Sequence, residues 1–153
     1  MKLNITVGGI SKSGYFNIDP TANDNEADKH NMQINELDKV ADDAECTEII
    51  LDNILNYFLL QNLNNIMPLI CKKLRHGGKL IVNFIDASIV SKMFVNNLIS
   101  LETFNNLIFG QDQINRRNAY NIKFIQDILT GLGLEIESIS YDNTEASITA
   151  KRK

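Results

Sequence analysis

Four clusters in this 153-residue chain combine residue types and positions that suit ligand chemistry: Val7-Gly8-Gly9, Asp19, Asp52-Asn53 and Asp86. Each closes a run that reads as a β-strand. Glycines at such a point let backbone N–H groups approach a bound molecule where a Cβ would obstruct it. Carboxylates there offer acceptors only, which suits hydroxyl and amine donors. Ligands of parallel α/β sheets bind beyond the carboxyl ends of the strands, near the switch in strand order, so these clusters define the candidate site. Other reactive groups lead nowhere comparable. Ser11-Lys12-Ser13 follows Gly8-Gly9 too closely to form a GxxxxGK[ST] phosphate loop. Cys46 and Cys71 have no CxxC or Cys/His neighbourhood, and His30 and His76 are isolated, so both thiols are expected reduced and no metal site is expected.

The elements that must position these residues follow from periodicity. Residues 2–7 alternate and end on glycines, and residues 15–18 form a second strand-like run that stops at Asp19-Pro20. Residues 21–39 read as a loop with one short helix. Residues 48–52 suit a buried strand. Apolar residues at spacings of three and four make 53–75 helical, with Pro68 requiring a break or a new helix near Leu63. Lys72, Lys73 and Arg75 close that helix before His76-Gly77-Gly78 stops it. Residues 79–85 are the best strand, and 88–109 are helical in two pieces. After a loop over 110–118, Asn121 caps a helix that ends at Gly131 or Gly133. Residues 134–141 and 144–151, joined at Asp142-Asn143, form a terminal hairpin. The expected architecture is a mostly parallel sheet covered on both faces, with an antiparallel edge.

Composition sets the outer limits. Hydrophobic residues make up 44% and charged residues 22%, ordinary for a globular domain and unlike a disordered chain. No apolar run reaches the roughly 18 residues of a membrane span, and none at the N-terminus resembles a signal peptide, so a cytoplasmic protein without a membrane partner is expected. Residues 19–52 hold eleven carboxylates against Lys29 and Lys39, a balance of −9 within a total of −4. With no basic stripe, nucleic acid is not an expected partner.

The order of these pieces resembles the class I S-adenosylmethionine-dependent methyltransferases, in particular a small family with an LNxGxG turn followed by a GWxNxD strand. Leu3-Asn4-Ile5-Thr6-Val7-Gly8-Gly9 and Gly14-Tyr15-Phe16-Asn17-Ile18-Asp19 stand in those places. The run from Glu48 to Phe58 is similar to that family's fourth strand and "vLEHf" helix start. Lys73-Leu74-Arg75-His76-Gly77-Gly78-Lys79-Leu80 is similar to its "LkPGGkL" turn, and Phe109-Gly110-Gln111 to a feature before its last helix. The resemblance implies one methyltransferase-like domain over residues 1–153, with a Rossmann-like sheet of strand order 3-2-1-4-5-7-6 and strand 7 antiparallel.

For the site it implies S-adenosylmethionine as cofactor. Gly8 and Gly9 would lie against its amino-acid and ribose parts, Asp19 would accept from the ribose hydroxyls, and Asp42, Asp43 and Ala44 would meet the adenine. Asp52, Asn53 and Asp86 are the catalytic candidates. Two departures stand out: Thr6 replaces the first motif glycine, and Asn56-Tyr57 replaces a Glu-His pair. Two readings follow. One is a methyltransferase acting on an unidentified acceptor, its acceptor site shallow or completed by a protein partner or a second copy. The other is a methyltransferase fold without catalysis, serving as an interaction or regulatory module.

Overall fold

The computed structural model describes residues 1–23, 27–111 and 116–153. Its centre is a six-stranded sheet built from β1 (Lys2–Thr6), β2 (Phe16–Ile18), β3 (Cys46–Asp52), β4 (Leu74–Ile85), β5 (Leu134–Asp142) and β6 (Glu145–Arg152). The spatial order is β2-β1-β3-β4-β6-β5. The first four strands are mutually parallel, and β6 runs antiparallel to both β4 and β5.

Strand alternation divides the side chains between two unlike faces. On one face the register aligns Leu3, Ile49, Leu80 and Ala150 in one row and Ile5, Leu51, Val82 and Ile148 in the next, all fully buried. Helices α1 (Leu63–Lys73) and α4 (Ile122–Gly131), with a 3₁₀ turn at Ile34–Lys39, cover this face through Leu37, Met67, Ile70, Ile125 and Leu129. The opposite face carries the rows Lys2-Glu48-Lys79-Lys151, Asn4-Ile50-Ile81-Thr149 and Thr6-Asp52-Asn83-Ser147.

That second face corrects the expectation of a sheet covered on both sides. Residues 7–15 join parallel β1 to β2, and nine residues are too few for a crossover helix, which needs a dozen or more. They cross the second face as an irregular strap. Asn4 Nδ2 donates to Ile10 O (3.3 Å) and Asn17 Oδ1 (2.9 Å), and the Lys12 N–H donates to that same Asn17 oxygen (2.8 Å). The strap buries Asn4 and Thr6, whereas Asp52, Ile81, Asn83, Ser147 and Thr149 stay only half-buried. Polar side chains on this face are therefore what the architecture requires.

The expected strand outside β2 is reduced, among the described residues, to a single bridge. His30 N–H donates to Asn17 O (2.9 Å) and Asp19 N–H to His30 O (3.0 Å), while the His30 ring stacks on Phe16 with centroids 4.1 Å apart. Residues 27–33 contain no β-branched residue to extend it. The remaining strands keep the relative order that the resemblance implies.

Local signals held elsewhere with small shifts. Two 3₁₀ turns, Leu55–Tyr57 and Leu60–Asn62, precede α1, which begins at Leu63 and runs through Pro68. The N–H that Pro68 lacks would have bonded the carbonyl of Asn64, an exposed residue that water can serve. Strand β4 starts five residues earlier than its apolar pattern indicates, because Leu74 already pairs with Cys46 before a bulge at 75–78. A Cβ on Gly78 would lie 2.8 Å from Cys46 O, so only glycine lets the bulge close. Helices α2 (Ala87–Val95) and α3 (Leu101–Phe109) pack chiefly on each other, through Phe94 and Phe104 at 4.8 Å. Among the described residues no helix is long and apolar enough to cross a membrane.

Candidate functional site

The carboxyl ends of β1 and β2 meet at Gly8 and Asp19. Gly8 has φ +65°, and its N–H donates to Asp19 Oδ2 at 2.8 Å. Asp19 Oδ1 accepts from Thr21 N–H (2.9 Å) and the Thr21 hydroxyl (2.7 Å), and Lys29 Nζ lies 3.7 Å from Oδ2. The carboxylate is 1% exposed. A buried carboxylate is tolerable only with such partners. Thr6, at the place of the first motif glycine, lies beneath this turn at 1% exposure. A Cβ on Gly9 would fall 2.0 Å from Thr6 Oγ1 and 3.0 Å from Thr6 Cβ. The turn closes over the threonine because position 9 has no side chain.

At the ends of β3 and β4 the strand-end residues divide by role. Asp86 spends Oδ1 on the N–H groups of Ser88 (2.8 Å) and Ile89 (3.1 Å) and Oδ2 on that of Ile122 (3.0 Å). It thereby caps α2 and ties the start of α4 to the same strand end. Asp52 Oδ1 accepts from Asn83 Nδ2 (3.1 Å), whose Oδ1 accepts from the Ser147 hydroxyl (2.8 Å). Asn53, at φ +55°, donates through Nδ2 to Glu145 Oε2 (3.0 Å), and its Oδ1 is buried without a partner among the described residues. Sequence reasoning missed Asn83, Glu145 and Ser147. The parallel register of β3 with β4 brings Asn83 beside Asp52, and the antiparallel register of β4 with β6 adds Ser147 and Glu145.

Asn56 ties the turn after β3 to residues 117 and 118. Asn56 Nδ2 donates to Asn118 O (2.9 Å), its carbonyl accepts from Arg117 N–H (2.7 Å), and its Oδ1 is also buried and unpartnered among the described residues. The Tyr120 hydroxyl donates to Leu55 O at 3.1 Å, and burial pushes its pKa up to about 12.

Asp42, Asp43 and Ala44 lie elsewhere, and their expected adenine contact is corrected. They precede Cys46 and so sit at the amino end of β3, the length of that strand, about 20 Å, from the end shared with Gly8 and Asp19. A residue just before a parallel strand cannot reach its carboxyl edge. Asp43 instead joins Asp38 around the buried Lys73 ammonium, with Lys73 Nζ 2.8 Å from Asp43 Oδ1 and 2.7 Å from Ala41 O. The hydrogen bond from Lys73 is the largest cause holding each of these carboxyls below its ordinary value. Asp42 uses its N–H on Glu45, and Ala44 adopts φ +60° with its N–H on Lys72 O. This part of the acidic segment fastens the chain to α1.

No family model matches the chain, and no curated protein matches it in sequence. Solved structures do match its fold. A SAM-dependent methyltransferase from Archaeoglobus fulgidus superimposes with TM-score 0.67 at 11% identity, covering 99% of this chain and 86% of that one. One from Methanosarcina mazei gives 0.65 at 12%, covering 99% and 92%. The 1,6-didemethyltoxoflavin-N1-methyltransferase of Burkholderia thailandensis, solved with S-adenosylhomocysteine, gives 0.64 at 8%, covering 99% and 71%. The chain has the class I methyltransferase-like fold.

Proposed function

We propose that the chain is a small S-adenosylmethionine-dependent methyltransferase whose acceptor is not yet identified. One observation carries this reading: beside the switch point between β1 and β3, a glycine N–H at the end of β1 and an acceptor-only carboxylate at the end of β2 meet across adjoining strand ends, Gly8 to Asp19 at 2.8 Å. The residues fit the cofactor in type and place. A carboxylate has about four lone-pair sites, and the Thr21 hydroxyl and Lys29 are the contacts that a ribose diol would replace. Thr6 is compatible because it is covered by the turn. When bound, the cofactor supplies an electrophilic methyl on a sulfonium. Positioning can then provide much of the rate, with a base needed only for protonated nucleophiles. Asp86 has both oxygens committed to helix N–H groups, which leaves Asp52, oriented by Asn83, as the strand-end carboxylate able to take a proton.

Calorimetric titration with S-adenosylmethionine and S-adenosylhomocysteine tests this. Binding that is lost in Asp19→Asn, with the fold intact by circular dichroism, supports the ribose placement. Absence of binding at millimolar ligand sinks the catalytic reading. It would favour instead a methyltransferase fold without catalysis, to which Asn56-Tyr57 and the uncovered sheet face point.

A further inference from the structure

Strand β5 closes one side of the sheet and β2 the other. An edge strand presents N–H and C=O groups without ladder partners, and edges are ordinarily blunted by shortness, bulges, charge, proline or a covering segment. Strand β2 is three residues long and carries the His30 bridge on its outer side. Strand β5 is blunted over its first half alone, where Glu135 and Glu137 bring charge and a bulge between Ile136 and Ser138 interrupts the ladder. The five residues that follow, Ser138 to Asp142, pair regularly with β6 on their inner side, and their one charge is Asp142 at the end. All five are exposed, and no strand pairs with their outer side among the described residues. Alternation sets Ile139 and Tyr141 on the face of the core residues Ile148 and Ala146, and Ser138, Ser140 and Asp142 on the open face. Ile139 is nonetheless 38% and Tyr141 54% exposed, because the sheet ends beside them.

This stretch is complementary to itself. Across a two-fold axis normal to the sheet, an antiparallel copy must set each residue opposite one on the same face, so the axis passes through a residue position. Ser140 is the middle of the regular stretch. With the axis there, Ile139 stands opposite the partner's Tyr141, Tyr141 opposite the partner's Ile139, and Ser138 opposite the partner's Asp142. Aromatic and β-branched cross-strand pairs stabilise sheets, and each carboxylate gains a hydroxyl donor. The bulge and the Asn143 turn fall just outside the pairing. An axis at Ile139 would set Asp142 against the partner's Ile136 and Tyr141 against the bulge. One at Tyr141 would draw Asn143, at φ +53°, into the ladder.

We infer that β5 docks a second copy of this chain, continuing the sheet across a two-fold axis at Ser140. Five residues a side fall well short of the roughly 20–30 of a standard interface, so the dimer is a reversible one. It does not depend on the methyltransferase reading.

Sedimentation of the full chain from micromolar to near-millimolar concentration tests it, with a mass rising toward twice 17.3 kDa expected. Each copy carries −4, so added salt should tighten the dimer. Ile139→Glu with Tyr141→Glu sets carboxylate against carboxylate in both outer pairs and should weaken association roughly tenfold or more. Ile139→Lys with Tyr141→Glu sets opposite charges together and should recover most of that loss. Both positions are exposed, so the fold, checked by circular dichroism, should survive. Ser140→Cys faces its own counterpart across the axis and should cross-link on mild oxidation. Ser138→Cys, about 13 Å from its counterpart along the strand, should not, and Cys46 and Cys71 are buried in both variants. A chain that stays monomeric throughout the series overturns the inference. So does a dimer that the two double variants affect alike, or one that Ser138→Cys cross-links as readily as Ser140→Cys.

Discussion

Replacing Gly9 by alanine puts a methyl group into space already held by Thr6. The new Cβ would stand 2.0 Å from Thr6 Oγ1, 3.0 Å from Thr6 Cβ and 3.3 Å from Thr6 Cγ2, and these are its three nearest neighbours. Relief requires lifting the turn or rotating a threonine that is 1% exposed. Overpacking of this kind costs about 1–3 kcal/mol, against which the less flexible unfolded chain returns about 0.4–1 kcal/mol. A net loss near 1–2 kcal/mol is expected, lowering Tm by roughly 3–6 °C in a chain of this size. In a Thr6→Gly background all three neighbours are gone, and Gly9 is outside the left-handed region that resists a side chain. There Gly9→Ala should be neutral or stabilising by up to about 1 kcal/mol. The coupling between the sites is then about 1–3 kcal/mol, within the range of directly touching residues. Urea denaturation of the four proteins, followed by far-UV circular dichroism, gives the cycle. An equal cost for Gly9→Ala in both backgrounds would refute the packing of Thr6 beneath the turn.

Other perturbations follow from the same contacts. Asp38 and Asp43 have folded pKa values held below the unfolded carboxylate value by Lys73, so their contribution is fully present above that unfolded value, about 3.9. It is lost as pH falls through the folded values. Tm of the native chain should therefore drop more steeply below pH 4 than that of Asp38→Asn/Asp43→Asn, and parallel profiles would count against the clamp. Asp86→Ala removes the acceptor of three N–H groups at two helix starts and should cost about 2–4 kcal/mol. Asp86→Asn, which keeps one oxygen, should cost about half as much by chemical denaturation. Tyr120→Phe deletes the buried donor to Leu55 O and should cost about 1 kcal/mol, with a negligible change indicating that water serves that carbonyl.

What the sequence made legible was local. The Asn121 cap, the hairpin at Asn143 and the glycine turn before Asp19 depend on neighbours a few residues away, and each stands in the structure where its pattern put it. The polar group at Asp52 and Asn53 was half legible. Its strand end could be read from 48–52, but Asn83 arrives through the parallel pairing of β3 with β4, and Ser147 and Glu145 through β6, far later in the chain. Two features were open to simpler rules. The interval 7–15 is too short for a crossover helix, which already implies an uncovered face beside β1. Asp42 and Asp43 precede a parallel strand, which already places them at its amino edge.

The uncovered sheet face also has a thermodynamic signature. A compact monomer of 17.3 kDa is expected to expose about 7,800 Å², and this chain exposes 8297 Å², a surplus of the order that one short helix would cover. Unfolding consequently adds less new apolar surface than for a sheet covered on both sides. The heat-capacity increment should fall below the usual value of about 12–15 cal/mol/K per residue, giving a shallower stability curve in which warming and cooling each remove little of a small reserve.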